Sequence, residues 1–501
     1  MSNNVISLQN AKDMGLEIPR TYKLRSLSTQ TLNTVSDIGW YVCAKGSNNE
    51  FYFCYTAQAR HKDRIAIDNE ILEVKNQSGQ PVKELLVDGS VIQWLVEKYE
   101  NTEESDSELS PTKAQERFID WAWTAHDMGA SDVHLMESSD ISTVVFRIHG
   151  LPYDYLPIAR KTASRIVEAG MQLSPNRQGT PDRHKIEDLR IELSRGGEKI
   201  TLRLNKTGSE PGTYTVYRIT QLSEAKTFKQ LRLPAHTYNA LDSMSKKPEG
   251  VIIITAPTNH GKSETLSAIY NSLDSERIVQ LVSDPIERTF PDKGNRLVQK
   301  EVNESDENRT YEALFLAALR QDPNVVGIAE MRDKKAANAV YQASLGGRLM
   351  ITTYHATDPF SALTRLINDG LSPLVLADQS RCFASQRLLP ELCPHCRIET
   401  NKKGVYIRNK NGCEHCVLGA IGRRVTAEAL TIGKEHRDFI MSSDIKGLEA
   451  FAKENGYITM QNDVRGLVEN GEVCPVDAEV IVGNVFSNAE QEELTTEVSA
   501  A

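Results

Sequence analysis

A run of β-branched and apolar residues that opens straight into a short glycine- and lysine-bearing turn, and then into an amphipathic stretch, leaves a chain few ways to fold. Here that run is VIIITAPTNHGKS, residues 251–263. Residues 251–255 have the composition of a strand buried on both faces, while Leu266, Ile269 and Leu273 recur at helical spacing through 263–273,. The connecting residues Ala256, Pro257, Thr258, Asn259, His260 and Gly261 therefore end where a helix begins. At such a junction backbone N–H groups and the positive end of the helix face an anion. Lys262 adds a point charge suited to β- and γ-phosphates, the Ser263 hydroxyl can ligate Mg²⁺, and Glu264 follows in the first turn,. The ligand this predicts is MgATP or a close relative. Ala256 stands where such loops usually begin with Gly, and Asn259-His260 replace a more usual Gly-Ser. Both are tolerable: Ala is small, and Asn is among the few non-glycine residues at ease with positive φ.

With 501 residues, a soft prior of roughly 150 residues per domain predicts about three domains,. No apolar run approaches the roughly 20 residues that a membrane span needs, and MSNNVISLQN lacks a basic patch followed by an apolar stretch, so a cytoplasmic location is expected,. A net charge of −10 without a long basic run disfavours nucleic acid as a direct partner,. Of eight cysteines, four sit in two CxxC pairs and Cys43, Cys54, Cys382 and Cys474 are scattered, which is not a secreted disulfide framework,.

Residues 1–98 read as a small α/β module, with strand-like runs at 50–55 and 64–67 and a helix ending near Tyr99,. Residues 99–112 are an acidic linker, ENTEESDSELSP at 100–111, with nothing to bury,. A helix at 114–128, alternating strands in ASDVHLM, TVVFRIHG, KITLRLN and TYTVYRI, and a helix at 159–173 predict an α+β domain over 113–232,. SKKPEG, 245–250, is turn-like and precedes the nucleotide domain, placed at 248–390,. A cysteine element at 391–418 and a helical region at 419–501 follow, and the closing NAEQEELTTEVSAA is expected to be disordered,.

Downstream of the loop, three more apolar runs deliver polar residues at their ends. Residues 278–282 lead into SDPIE with Asp284 and Glu287, 325–329 into Glu330, and 349–353 into His355 and Asp358. Open α/β sheets bind ligands at that edge. One carboxylate there can activate a water, another can complete a magnesium shell, and His355 can sense the γ-phosphate.

The strings YEALFLAALRQDPNVVGIAEMRD and ITTYHATDPFSALTRL resemble the Walker B and histidine boxes of the ATPases of type II secretion and type IV pilus assembly, and SDPIE resembles their aspartate box. GASDVHL and FRIHG are similar to the start of that family's second N-terminal domain, so the resemblance covers roughly residues 114–432. It implies a RecA-like P-loop domain preceded by an α+β, PAS-like domain. It also implies that Lys262 and Ser263 bind phosphate and magnesium, Glu287 is the base for water, Glu330 is the Walker B glutamate and His355 the histidine-box residue. Arg203 and Arg218, fifteen apart, would reach nucleotide on a neighbouring subunit, with Arg183 in TPDR as a third. Ser283, Tyr354 and Ala329 depart from the family's Glu, Leu and Gly, which marks a divergent branch.

LCPHC and GCEHC place Cys393, Cys396, Cys413 and Cys416 as two knuckles sixteen residues apart, the spacing of a tetrahedral zinc site with no open position and hence a structural role,. His395 and His415 inside the knuckles read as surface groups. The family's assembly ATPases resemble this chain in having a tetracysteine element here, followed by a run similar to GRRVTAEAL. The resemblance implies a hexameric, cytoplasmic ATPase, peripheral to the inner membrane, that drives a platform protein adding pilin or pseudopilin. A type IV secretion or conjugation ATPase, and a nucleotide-binding scaffold with weak hydrolysis, are the alternatives.

Overall fold

The computed structural model describes residues 110–487, apart from 138–140, 176, 178–184, 211 and 305. Of the first 109 it describes 6, 8–17, 41–47, 50–55, 71, 75, 81–87, 91–92 and 94–95. The run at 64–67, the end of the helix near Tyr99, Arg183 and the closing stretch 488–501 lie outside the described residues. Two compact units form: residues 1–221 with 393–396 and 408–421, and residues 222–392 with 397–407 and 422–501.

In the first unit, helix α1 (Leu8–Asp13) accompanies three strands, β1 (Tyr41–Lys45), β2 (Phe51–Tyr55) and β3 (Val82–Leu86). β2 is antiparallel to β1 and parallel to β3. Ala11, Leu16, Tyr52, Cys54, Val91 and Leu95 form their shared core.

The larger part of this unit starts with α2 (Pro111–Asp127), earlier than the periodicity from 114 suggests. Two local devices set that start: the Ser110 hydroxyl accepts from Lys113 N at 3.4 Å, and Pro111 carries a helical φ where no N–H is needed,. Strands β4 (Ala130–Glu137), β5 (Ile141–Ile148) and β6 (Leu151–Ala159) lead to α3 (Arg160–Met171), then β7 (Glu187–Arg195), β8 (Glu198–Gly208) and β9 (Thr213–Gln221). The six strands form one antiparallel sheet in the order β6-β5-β4-β9-β8-β7. Strict alternation of buried and exposed positions in β7 turns Leu189, Ile191 and Leu193 to one face,. That face meets Phe118 and Trp121 of α2 and Ile166 and Val167 of α3. Gly170 lets the two helices meet: a Cβ there would lie 2.2 Å from Phe118 Cγ.

The second unit opens with β10 (Ser223–Glu224) and α4 (Ala235–Ser245), then β11 (Gly250–Thr255), α5 (Lys262–Ser272), β12 (Val279–Ser283), β13 (Arg288–Thr289) and β14 (Leu297–Glu301). After these come α6 (Tyr311–Leu319), β15 (Val325–Met331), α7 (Lys334–Ser344), β16 (Leu349–Tyr354), α8 (Pro359–Asn368), α9 (Pro373–Gln379) and β17 (Ser380–Leu392). The short pair β18 (Ile398–Glu399) and β19 (Tyr406–Ile407) precedes β20 (Ala420–Thr431) and helices α10 (Lys434–Met441), α11 (Ile445–Glu454), α12 (Met460–Glu469) and α13 (Pro475–Val482).

Seven strands build the main sheet in the order β14-β12-β15-β16-β11-β17-β20, and the first six are mutually parallel. β11 is central and fully buried: Val251 and Ile253 pack with α7 and α8 on one face, Ile252 and Ile254 with α4 and α5 on the other. Each such side chain contributes roughly 1.5–3 kcal/mol on burial. The region beyond 418 is not uniformly helical, as expected from its sequence, but begins with β20, because Val425, Ala427 and Glu428 can be buried at the sheet edge. Gly170→Ala is expected to destabilise the first unit by about 1–3 kcal/mol through overpacking. Urea unfolding measures this, and an unchanged midpoint would contradict the close helix crossing.

Candidate nucleotide site

Because the strands are parallel, their carboxyl ends share one edge of the sheet, and each delivers the residue that follows it. The β11–α5 loop turns through two positive φ angles, Asn259 at 65° and Gly261 at 80°. Gly261 is also the residue before the helix, so the N–H groups of Lys262, Ser263 and Glu264 have no partner within the first turn to bond to,. Lys262 Nζ donates to the carbonyls of Ala256 (2.8 Å) and Pro257 (3.0 Å), folding the side chain over the loop. Burial lowers the Lys262 pKa, and the nearby Glu330 charge opposes that. Pro257, Thr258 and Asn259 are exposed at the loop tip, whereas Ala256 is fully buried.

His260 faces inward. Its Nδ1 accepts from Leu388 N at 3.0 Å, which requires a neutral ring on that nitrogen. Burial, with Arg387, Arg423 and Lys262 around it, pushes the imidazole down to about 4, so the ring is neutral at pH 7.

Glu264 points its carboxylate at Arg288 (2.7 Å to Nε, 2.5 Å to Nη2) and Lys226 (3.1 Å). Burial alone would raise this carboxyl, but the two cations hold it below the usual range. What Glu264 offers the loop is thus its backbone N–H. Arg288, on the β13 strand paired with β10, is not apparent as a structural partner from the sequence, because Glu264 lies 24 residues away.

Ser263, Ser283, Asp284 and Glu287 line one cleft beside α5. Glu330, from the end of β15, is held on both sides. Tyr311 Oη donates to its carbonyl (3.1 Å) and accepts from its N–H (3.3 Å), and its carboxylate pairs with His355 Nε2 and with Arg332 Nε at 3.5 Å. Arg332 also lies 3.7 Å from Asp284. Lys262, Ser263, Asp284, Glu287, Glu330 and His355, far apart in the chain, thus stand together on one sheet edge. The arrangement combines an anion cradle, a hydroxyl ligand, acidic groups and an imidazole, the parts that phosphoryl transfer to water needs.

Arg203 and Arg218 belong to the first unit. They are direct register partners on β8 and β9 and so project from the same face,. Arg190 and Arg203 pair likewise, Arg218 pairs with Asp132, and Asp132 with Arg147, giving a row of four arginines and one carboxylate across five strands. Arg218 Nε bonds Asp132 Oδ1 at 3.0 Å, and Arg203 is exposed.

Also in the first unit, the four cysteine sulfurs lie within 4.8 Å of one another. Sγ separations of 3.7 Å (Cys393–Cys413), 3.6 Å (Cys396–Cys416) and 3.6 Å (Cys413–Cys416) match the edges, about 3.8 Å, of a tetrahedron with 2.3 Å metal–sulfur bonds,. Gly419 at φ 77° permits the turn: a Cβ there would sit 2.3 Å from the Asn409 carbonyl. His395 and His415 are exposed, their rings 4.2 Å apart, and the metal-sized cluster is formed by the cysteines.

Residues 113–490 match the model of a family described as type II/IV secretion system protein. Type II secretion system protein E of Aeromonas hydrophila is 31% identical over 330 residues, covering 63% of this chain and 64% of the relative. The type IV pilus assembly ATPase TfpB of Acinetobacter baylyi is 27% identical over 365 residues, covering 68% and 60%. The chain therefore spans less than two thirds of the length of these relatives. Among solved structures, the ATPase DotB of Legionella pneumophila superposes with a TM-score of 0.57 at 17% identity, over 73% of this chain and 95% of DotB. The pilus retraction motor PilT with bound ADP gives 0.51 at 21%, over 74% and 98%. At these identities the likeness is one of fold.

The depressed His260 gives an expected pH dependence. Between about 6.5 and 4 the unfolded chain takes up a proton that the folded loop resists, so stability falls as pH falls through that window,. Replacing His260 by Asn keeps an acceptor for Leu388 N and removes the titration. From pH 7 to pH 5 the thermal midpoint of the wild type should fall further than that of His260→Asn; parallel curves would contradict a buried neutral His260.

Proposed function

Since the chain belongs to the type II/IV secretion system protein family, we propose that it is an ATPase that powers assembly of a type IV pilus or a type II secretion pseudopilus. The observation that carries this reading is the convergence of Lys262, Ser263, Asp284, Glu287, Glu330 and His355 on the edge of one parallel sheet. In it the second unit is a RecA-like motor domain and the six-stranded sheet with its two helices a PAS-like domain.

The residues divide the chemistry as follows. The N–H groups of residues 261–264 and the helix dipole hold the β- and γ-phosphates, and Lys262 swings from the Ala256 and Pro257 carbonyls onto them,. Ser263 and the acidic edge would hold Mg²⁺, which would supply charge neutralisation to the phosphates. Glu287, sharing a cleft with Ser263 and Asp284, takes a proton from the attacking water as the new oxygen–phosphorus bond forms and ADP leaves,. Glu330 orients that water, and His355, paired with Glu330, registers the γ-phosphate and its release.

A ring of six copies completes each site. Arg203 and Arg218 support this, because they project side by side from a sheet face and are suited to phosphate,. They would serve the nucleotide of a neighbouring copy, with Arg183 as a third. The stroke is transmitted to an inner-membrane platform protein from a cytoplasmic position; among the described residues no helix is long and apolar enough to cross a membrane. The four cysteines hold zinc as a structural tie between residues 393–396 and 408–421, which favours an assembly motor over the conjugation-type alternative,.

Phosphate release tests the reading. Glu330→Gln should lower turnover by about 100-fold or more while MgATP affinity stays within about threefold. Binding without turnover in the wild type would instead identify a nucleotide-dependent scaffold. Elemental analysis of the purified chain should give one zinc per chain, and Cys413→Ser should give none and a lower thermal midpoint. Zinc-free wild type of unchanged stability would remove the structural metal from this reading.

A further inference from the structure

β17 runs beside β11 in parallel register, with Ser385 opposite Thr255, and the two hydroxyls share a hydrogen bond. The next two side chains leave on opposite faces of the strand. Gln386, 3% exposed, donates from Nε2 to the His260 carbonyl at 2.8 Å and accepts at Oε1 from Thr265 Oγ1 at 2.7 Å. It therefore ties the phosphate loop to the first turn of α5. Arg387, 8% exposed, donates from Nη2 to the Thr357 carbonyl at 3.1 Å and from Nη1 to the Gln386 carbonyl at 2.9 Å, within the field of Glu428 and Asp358.

Thr357 lies in the turn that follows His355. Among the other anchors of that turn are Arg365 Nη1 on the His355 carbonyl (2.7 Å), the Thr357 hydroxyl on Asp358 (2.8 Å) and Asp358 itself, which caps α8 by accepting from Ser361 N (2.8 Å). A buried guanidinium carries a desolvation cost that an apolar side chain of similar volume would not. Here its hydrogen bonds go to backbone carbonyls, one of them in the turn that carries the imidazole.

We propose that Gln386 and Arg387 are positioning residues that set the phosphate loop and the His355 turn in one frame, so that nucleotide in the loop is felt at His355. This rests on the nucleotide-binding reading above. Neither residue touches the reacting atoms: Gln386 acts through the His260 carbonyl, and Arg387 through the Thr357 carbonyl. Glu428 is the buried carboxylate nearest in role to a counter-charge; it accepts from Met460 N at 3.0 Å, and burial pushes it up to about 7. It must be controlled for, because removing Arg387 alone could act simply by stranding Glu428.

The test uses the full chain with Mg·ATPγS and reads backbone hydrogen exchange. In the wild type, nucleotide should slow exchange at residues 354–358 by about fivefold or more, and in Arg387→Met by less than about twofold, while protection at 256–263 and affinity stay within about threefold. Arg387→Lys, which keeps one donor and the charge, should recover part of the protection. Gln386→Ala should weaken binding about tenfold. Arg387→Met/Glu428→Gln separates the two roles: restored thermal stability with protection at 354–358 still lost supports positioning, whereas restored protection shows that Arg387 merely neutralises Glu428 and overturns the proposal. Wild-type protection in Arg387→Met overturns it directly, and so does a wild type that fails to bind Mg·ATPγS. ATP turnover in the wild type with unchanged protection in Arg387→Met sinks this inference and spares the ATPase reading; protection without turnover does the reverse.

Discussion

Burial of β11 on both faces, between β16 and β17, is the constraint on which the second unit depends. Val251, Ile252, Ile253 and Ile254 have no solvent side, so the chain cannot bend or widen until Thr255 ends the strand. The polar loop must then break out at the carboxyl edge. Because β12, β15 and β16 run the same way, the polar residues at their carboxyl ends break out beside it. The chemistry of the edge thus follows from packing: a cradle of N–H groups, acids from two strands and an imidazole from a third are assembled by cores that contain none of them.

The edge is also electrically arranged before any ligand arrives. Glu264, at the positive end of α5, is neutralised by Arg288 and Lys226, so its carboxylate does not cap the helix N–H groups,. Glu330 is kept at the rim by Tyr311 on its backbone and by His355 and Arg332 on its carboxylate. In the first unit the arginine row relies on Asp132: like charges directly opposite on adjacent strands repel, and the carboxylate beside Arg218 offsets part of that,.

Much of this was legible in the sequence because it is local. The strand, turn and helix of 251–273 show in the change of hydrophobic period, and the elements lie within one residue or so of the expected bounds. The same holds for the strands leading to Asp284, Glu330 and His355, and for the cysteine knuckles, whose spacing alone suggests four sulfurs around one point. What escaped depends on partners far along the chain. Gln386 meets His260 across 126 residues and Arg288 meets Glu264 across 24, and nothing near either residue marks it. β20 was missed because its edge position leaves a mixed pattern of burial, with Arg423 and Arg424 interrupting the apolar run. The start of α2 was displaced by a cap, Ser110-Pro111, that periodicity does not register.

Whether copies of the chain complete one another's nucleotide sites is most directly tested by mixing two inactive chains. Arg203→Ala keeps its own Glu330, and Glu330→Gln keeps its own Arg203. If the arginine of one copy completes the nucleotide site of the next, equimolar mixing before ring assembly should restore about a quarter of wild-type phosphate release, from the junctions at which both intact groups meet. Turnover in the mixture no higher than in either chain alone would contradict sites completed between subunits.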